Sequence, residues 1–119
     1  MNGIDVYQNT AVTTQSKGRL VVMLYDGAIK FLKLAIKEIE TKNYEAKGKY
    51  LAKAQDIIFE LNAVLDMEAG GEIAQNLRRL YSFMVTHLVE ANSQKDPKRI
   101  QQVLHLLENL LAGWKQIAA

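Results

Sequence analysis

Two histidine–glutamate pairs in this sequence have the residue types and the spacing that metal binding or acid–base chemistry could use. His87 precedes Glu90 and His105 precedes Glu108 by three positions, which places each pair on one side of a helix. Bundles that bind two metal ions use the opposite order, with glutamate three residues before histidine. His105 also projects about 160° from Leu107 at 100° per residue, away from the apolar side. We therefore expect solvated side chains here, and neither a metal site nor a cofactor.

Asp26 is the other candidate for acid–base chemistry, because it is the only acidic residue between Leu20 and Lys37. It lies on the polar side of the predicted helix with Lys30, and an i,i+4 ion pair of this kind stabilises a helix by about 0.2–0.5 kcal/mol. The sequence shows neither a Gly-rich phosphate loop after a strand nor a nucleophile paired with a base. A metal-dependent bundle enzyme is therefore the weakest of the functional hypotheses.

Composition predicts one domain with a substantial core, since 49% of the 119 residues are hydrophobic. Lys and Arg total 15 against 13 Asp and Glu, and this near balance does not indicate a nucleic-acid partner. The absence of cysteine is compatible with a reducing, cytoplasmic location. The first residues do not form a secretory signal, and the longest apolar run, Leu20 to Tyr25, is far shorter than the roughly 20 residues of a membrane span. We expect a soluble protein without membrane insertion.

Residues 1–15 lack a sustained helical period and are predicted to form an N-terminal arm. The first helix follows, with Ser16 as its N-cap. Gly27 inside this helix indicates close approach of a neighbour. Its predicted core stripe, at 100° per residue, is Leu20, Leu24, Ala28, Phe31, Ala35 and Ile39.

Three further amphipathic stretches complete the chain. Asn43 is predicted to cap a second helix from Tyr44 to about Met67, and Gly70-Gly71 to end it through a left-handed exit. A third helix follows from Glu72 to about Ser93, and Asp96-Pro97 begins a fourth that runs to the chain end. Short connections between long helices predict an all-α, antiparallel up-down-up-down four-helix bundle over residues 16–119.

The predicted core stripes of these helices leave several apolar residues outside them. The second stripe is Tyr50, Ala54, Ile57, Ile58, Leu61 and Leu65; the third is Ile73, Leu77, Leu80, Tyr81, Met84 and Leu88; the fourth is Ile100, Val103, Leu104, Leu107, Leu111 and Trp114. Phe59, Phe83 and Val89 project off their stripes, and Val22 and Ile29 border the charged side of the first helix. A contiguous group of such residues indicates either a partner surface or a homo-oligomer contact, such as a homodimer.

Several short motifs stand in the order and spacing of a known family. They are Tyr7, Leu24-Tyr25-Asp26-Gly27, Ala54-Gln55, Ile57-Ile58, Glu60-Leu61, Leu80-Tyr81, Glu90-Ala91-Asn92, Asp96 and Trp114. On these residues the chain resembles the flagellar secretion chaperone family, FliS, over nearly its whole length. Two positions depart from the family pattern: Phe59 stands where a polar residue is more frequent, and Arg99 replaces an acidic or polar residue.

The resemblance implies a cytoplasmic chaperone rather than an enzyme. Members bind the disordered C-terminal segment of newly made flagellin, which folds into short helices in hydrophobic grooves, and so prevent premature polymerisation before export through the flagellar type III apparatus. In the family, the N-terminal arm can occupy part of the groove when flagellin is absent, which by analogy makes Ile4 and Tyr7 a plug. An export-gate component or other flagellar regulators are further partners of the kind that such a chaperone would meet.

The client-binding groove is expected along the exposed edges of the second, third and fourth helices. We expect it at Ile57, Leu61, Leu65, Leu77, Leu80, Tyr81, Met84, Leu104 and Leu107. Taken singly, each of these residues also fits the bundle core. Phe59 fits either an extension of this groove or a dimer contact. The alternative function is a helical-bundle adaptor or regulator that binds a folded export or regulatory protein.

Overall fold

A computed structural model describes the backbone of residues 3–118 and the side chains of residues 17–116. The chain forms four helices, α1 (Gly3–Glu40), α2 (Tyr44–Ala63), α3 (Met67–Gln94) and α4 (Pro97–Ala118). Helices α1 and α3 each pack on α2 and α4, so α1 lies diagonally across the bundle from α3. The predicted all-α four-helix bundle is confirmed. Within the described residues, the helices lack any stretch long and apolar enough to cross a lipid bilayer.

Side-chain caps explain where three of the helices begin. Asn43 Oδ1 accepts a hydrogen bond from Ala46 N at 3.3 Å, and Asp96 Oδ1 accepts one from Lys98 N at 3.0 Å. Both starts are those that the sequence predicts. Asp66 Oδ1 accepts from Ala69 N at 3.0 Å and thereby starts α3. Each cap satisfies a first-turn N–H group that has no partner inside its helix.

The start of α1 and the end of α2 differ from the prediction. Helix α1 begins at Gly3, so Ser16 lies within it and is not its N-cap. The backbone of the predicted arm is therefore helical from Gly3, while the side chains of Ile4 and Tyr7 lie outside the described residues. Helix α2 ends at Ala63 rather than near Met67, because the carboxylate of Asp66 caps a new helical turn instead.

Gly71 interrupts α3 after its first turn rather than ending α2. Its φ of 51° and ψ of −126° are not those of the predicted left-handed exit, and they leave two helical pieces joined at one residue. A side chain is strained in this region of backbone space, which glycine enters freely. The short turn at the start of α3 therefore has its own direction, set by Gly71.

The buried side of α1 is rotated slightly about the helix axis from the core stripe that the sequence predicts. Leu20 is 44% exposed, whereas Ile29, predicted at the polar border, is buried. The buried residues of α1 are Val21, Tyr25, Ala28, Ile29, Leu32 and Ala35. The apolar side of this helix is wide, so its centre depends on where the neighbouring helices lie rather than on periodicity alone. Ile73, also predicted in the core, is 72% exposed.

Close packing and buried polar contacts join the helices. A Cβ atom on Gly27 would lie 3.1 Å from Cδ1 of Ile57, which confirms the close approach of α1 and α2. The hydroxyl groups of Tyr25 and Tyr81 are hydrogen-bonded at 2.6 Å across the core. At the opposite end of α2, the buried Lys47 donates from Nζ to the carbonyl oxygen of Asn92 at 3.0 Å, and burial lowers the pKa of its ammonium.

Candidate functional site: an apolar groove at one end of the bundle

An open groove of about 310 Å³ lies at the connection between α2 and α3. All four helices contribute to it: Lys17, Gly18 and Val21 of α1; Leu61, Val64, Leu65 and Asp66 at the end of α2; Gly70, Ile73, Ala74, Leu77 and Tyr81 of α3; and Trp114 of α4. The groove exists because α2 ends at Ala63 while α1 continues past it. Among the residues whose side chains are described, this end of the core is therefore left partly open.

Three aromatic side chains from three helices meet beneath the groove. The ring of Tyr25 lies 6.5 Å from the rings of both Tyr81 and Trp114, measured between centroids. Burial raises the pKa of both tyrosine hydroxyls above the ordinary value, so the pair stays neutral and hydrogen-bonded at physiological pH. The groove thus has an uncharged aromatic floor.

Among the residues whose side chains are described, Lys17 and Asp66 are the charged members of the groove lining, and both are exposed. The remaining lining is mostly aliphatic and aromatic, with Ile73 projecting into solvent beside it. Such a surface can bury apolar side chains at about 25 cal/mol per Å² removed from water. The described residues of this surface do not bring together groups that could transfer protons or bind a metal ion. The arrangement therefore suits a peptide segment with an apolar side.

The structure brings four of the nine predicted groove residues together here: Leu61, Leu65, Leu77 and Tyr81. Of these four, Leu61, Leu77 and Tyr81 are also buried in the core. Three other predicted residues, Met84, Leu104 and Leu107, are buried in the core outside the groove lining. The last two, Ile57 and Leu80, are partly buried and pack against the core outside the groove lining. The proposed plug residues, Ile4 and Tyr7, lie outside the side chains that the structure describes.

Several lining residues were missed by the sequence reasoning. Val21, Val64, Ala74 and Trp114 line the groove, and Ile73 stands at its edge. The sequence put Ile73 and Trp114 on core stripes, and none of the five was predicted as a groove residue. The available signal was Asp66, an N-cap residue directly after the apolar pair Val64-Leu65. Ending α2 before that pair would have indicated an uncovered region at this end of the bundle.

The histidine–glutamate pairs do not converge. His105 Nδ1 lies 3.7 Å from Glu108 Oε1 on the exposed side of α4, whereas His87 contacts Gln102. Within the described residues, no group of three His, Cys, Asp or Glu side chains could hold a metal ion. Glu90 instead pairs with Arg99, whose Nε also lies 3.5 Å from Asp96 Oδ2. Arg99, which departs from the family pattern, therefore joins α3 to the start of α4.

Comparison with known proteins gives a consistent result along the whole chain. A model of the family described as flagellar protein FliS matches residues 1–119. The flagellar secretion chaperone FliS of Salmonella typhimurium is 42% identical over 98% of this chain and 90% of its own length. The proteins of the same name from Vibrio cholerae and Bacillus subtilis are each 36% identical, over 96% and 97% of this chain and 87% and 85% of their own lengths. These relatives are named as chaperones and not as enzymes. The chain belongs to the FliS family.

Proposed function

We propose that this protein is a cytoplasmic export chaperone for flagellin. It binds the disordered C-terminal segment of newly made flagellin, prevents premature polymerisation and aids delivery to the flagellar type III secretion apparatus. The observation that carries this proposal is the apolar groove, which is lined by the partly buried Leu65 and by the buried Leu61, Leu77 and Tyr81. The names of its relatives, which are flagellar secretion chaperones, point to the same role.

The groove suits a client that folds as it binds. An amphipathic helix presents apolar side chains at i, i+3, i+4 and i+7, and the groove offers aliphatic walls from α2 and α3 with an aromatic floor. A disordered segment loses conformational freedom on binding, and burial of its apolar side offsets that cost. Binding then lowers the concentration of free flagellin by mass action, which disfavours polymerisation.

The N-terminal plug is the second part of the proposal. Lys17 lines the groove, and Tyr7 precedes it by ten residues, or about 15 Å of helix. The segment must therefore leave the helical path of α1 for Ile4 and Tyr7 to reach the same groove. An arm that exchanges between these two arrangements competes with flagellin without blocking it.

Titration with a peptide of the flagellin C-terminal segment tests the client. Calorimetry and circular dichroism should show saturable binding, a gain of helix and a negative heat-capacity change. Absence of binding at tens of micromolar, with the bundle folded, would contradict the proposal. A folded export-gate component or flagellar regulator that binds without any gain of helix would favour the adaptor function instead.

Two exposed positions locate the binding site. Ile73→Asp places a charge at the groove, and Val89→Asp places one on α3 outside the groove lining, where Val89 is 55% exposed. In the peptide complex, Ile73→Asp loses the burial of one isoleucine side chain, so this variant should bind the peptide about tenfold more weakly, or weaker still. Val89→Asp should leave the affinity unchanged. Equal affinities of the two variants would show that the client binds elsewhere.

A further inference from the structure

We propose that the outer side of α1 binds the surface of a membrane that contains anionic lipids. We call this surface the basic face, and define it by four exposed cations of α1: Arg19, Lys30, Lys33 and Lys37. The described lining of the apolar groove contains none of the four. The proposal therefore goes beyond client binding and does not depend on it.

The shape of the basic face suits a flat partner. At 100° per residue its cations fall within about 60° of arc around the helix axis, and Arg19 and Lys37 are about 27 Å apart along it. A helix that lies on a plane touches it along one such line, so all four side chains can reach the same plane. The apolar groove and the three clefts beside α2 and α3 are lined by other residues. A peptide, by contrast, is usually held in a groove.

The cations of the basic face are free to meet anionic groups. Within the described residues, none of the four takes part in a salt bridge. The ion pair that the sequence predicts between Asp26 and Lys30 is therefore not formed. Asp26 is the acidic residue between Arg19 and Lys37, so four cations on this side stand against one carboxylate. Such a cluster attracts the phosphate groups of anionic lipids.

The charges of the other helices add to this asymmetry. Helix α4, which packs on α1, carries three cations against one acidic residue: Lys98, Arg99 and Lys115 against Glu108. Helix α3, which lies diagonally opposite α1, carries three acidic residues against two cations: Glu68, Glu72 and Glu90 against Arg78 and Arg79. An anionic surface therefore attracts the side of the bundle around α1 more strongly than the side around α3.

An exposed methionine favours a lipid surface over another polyanion. Met23 is 68% exposed and projects within about 20° of Lys30 around the helix axis. At a membrane its side chain can enter the boundary between headgroups and acyl chains while the cations stay at the phosphates. The sugar–phosphate backbone of a nucleic acid has no comparable apolar layer.

The expected binding is weak and reversible. Each Lys or Arg close to an anionic membrane strengthens binding about fivefold. The excess of cations on the basic face therefore strengthens binding about a hundredfold relative to a neutral membrane. Even one myristoyl chain gives only marginal membrane binding, so the basic face would hold the protein at a membrane for short periods.

Co-sedimentation of the full chain with lipid vesicles tests the proposal. Vesicles of phosphatidylglycerol and phosphatidylcholine in equal parts should bind the protein at about 0.1 M salt and release most of it at about 1 M, where the Debye length falls to about 3 Å. Vesicles of phosphatidylcholine alone should bind about a hundredfold more weakly. Equal binding to both kinds of vesicle, or binding to neither, would overturn the proposal.

Two triple variants with the same change of net charge locate the contact. Replacing Lys30, Lys33 and Lys37 by Gln should weaken vesicle binding about a hundredfold, whereas replacing the exposed Lys49, Arg78 and Arg79 by Gln should weaken it much less. Glutamine is a good helix former, so both variants should keep the circular dichroism of the unmodified protein. Equal binding of the two variants would show that net charge alone is responsible and would refute the basic face.

A change at Met23 and a second polyanion identify the partner. Met23→Gln should weaken vesicle binding about fivefold, and unchanged affinity would contradict a lipid surface. Polyuridylate should bind more weakly than the anionic vesicles, and tighter binding of this RNA would assign the basic face to nucleic acid instead. The lysine variant should keep its affinity for the flagellin peptide, which separates this proposal from the client proposal.

Discussion

Removal of one hydroxyl from the Tyr25–Tyr81 pair should cost more stability, per hydroxyl, than removal of both. Tyr25 is 0% exposed and Tyr81 is 2% exposed, and their oxygens are 2.6 Å apart. Tyr81→Phe leaves the hydroxyl of Tyr25 buried without this partner, which costs about 1–3 kcal/mol of unfolding free energy, and Tyr25→Phe has the converse effect. The double variant removes both groups, so its cost should fall below the sum by about 1–2 kcal/mol.

Urea unfolding measures these costs. With a slope of about 1–3 kcal/mol per molar for a domain of this size, a loss of 2 kcal/mol shifts the midpoint by about 1 M. Circular dichroism and the fluorescence of Trp114, which lies against Tyr25, should give the same transition if unfolding is two-state. Tyr50→Phe, on a partly buried ring stacked against Phe31, is the matched control and should change stability by less than about 0.5 kcal/mol. Additive costs in the double variant would refute the coupling.

Three further predictions concern the arm, the α3 break and alkaline pH. Tyr7→Ala should strengthen flagellin-peptide binding in calorimetry, because it removes a competing segment of the same chain, and unchanged or weaker affinity would count against the plug. Gly71→Ala should lower the unfolding free energy by about 1–3 kcal/mol in urea because φ is 51°, whereas Gly113→Ala, with open space around it, should raise stability slightly. Burial raises the pKa of Tyr25 and Tyr81 above 10.0, so the unfolded chain loses these protons first. Stability should therefore fall as pH rises above about 10, by up to about 1.4 kcal/mol per pH unit for each tyrosine, and the pH profile of the double Phe variant should be flatter.

Local signals in the sequence were sufficient to predict the four-helix bundle. Asn43 and Asp96-Pro97 mark the starts of α2 and α4 through backbone groups that need a nearby acceptor, so the sequence alone locates them. The α4 stripe was correct at five of its six residues, since Ile100, Val103, Leu104, Leu107 and Leu111 are buried, whereas Trp114 is partly buried and lines the groove. This helix has a strong and regular apolar pattern, which leaves little freedom in its orientation.

The candidate site required information that is not local. Leu65 and Leu77 have the same apolar character as Leu107, yet the first two line a groove and the last is fully buried. The difference depends on where α2 ends relative to α1 and α3, which periodicity does not report. Ile73 shows the same limit, because its place on the stripe is regular but its side chain is exposed among the described residues.

The two ends of the bundle are closed to different degrees. At one end, Lys47 donates to the carbonyl of Asn92, Lys95 lies over the ring of Tyr44, and Arg99 pairs with Glu90. At the other end, among the residues whose side chains the structure describes, the Tyr25–Tyr81 hydrogen bond and packing around the apolar groove join the helices. Backbone amides should therefore exchange with deuterium on a gradient along the bundle axis, slow near Asn92 and faster towards the groove. A client that fills the groove would then act as the missing last layer of the core and slow exchange at that end alone.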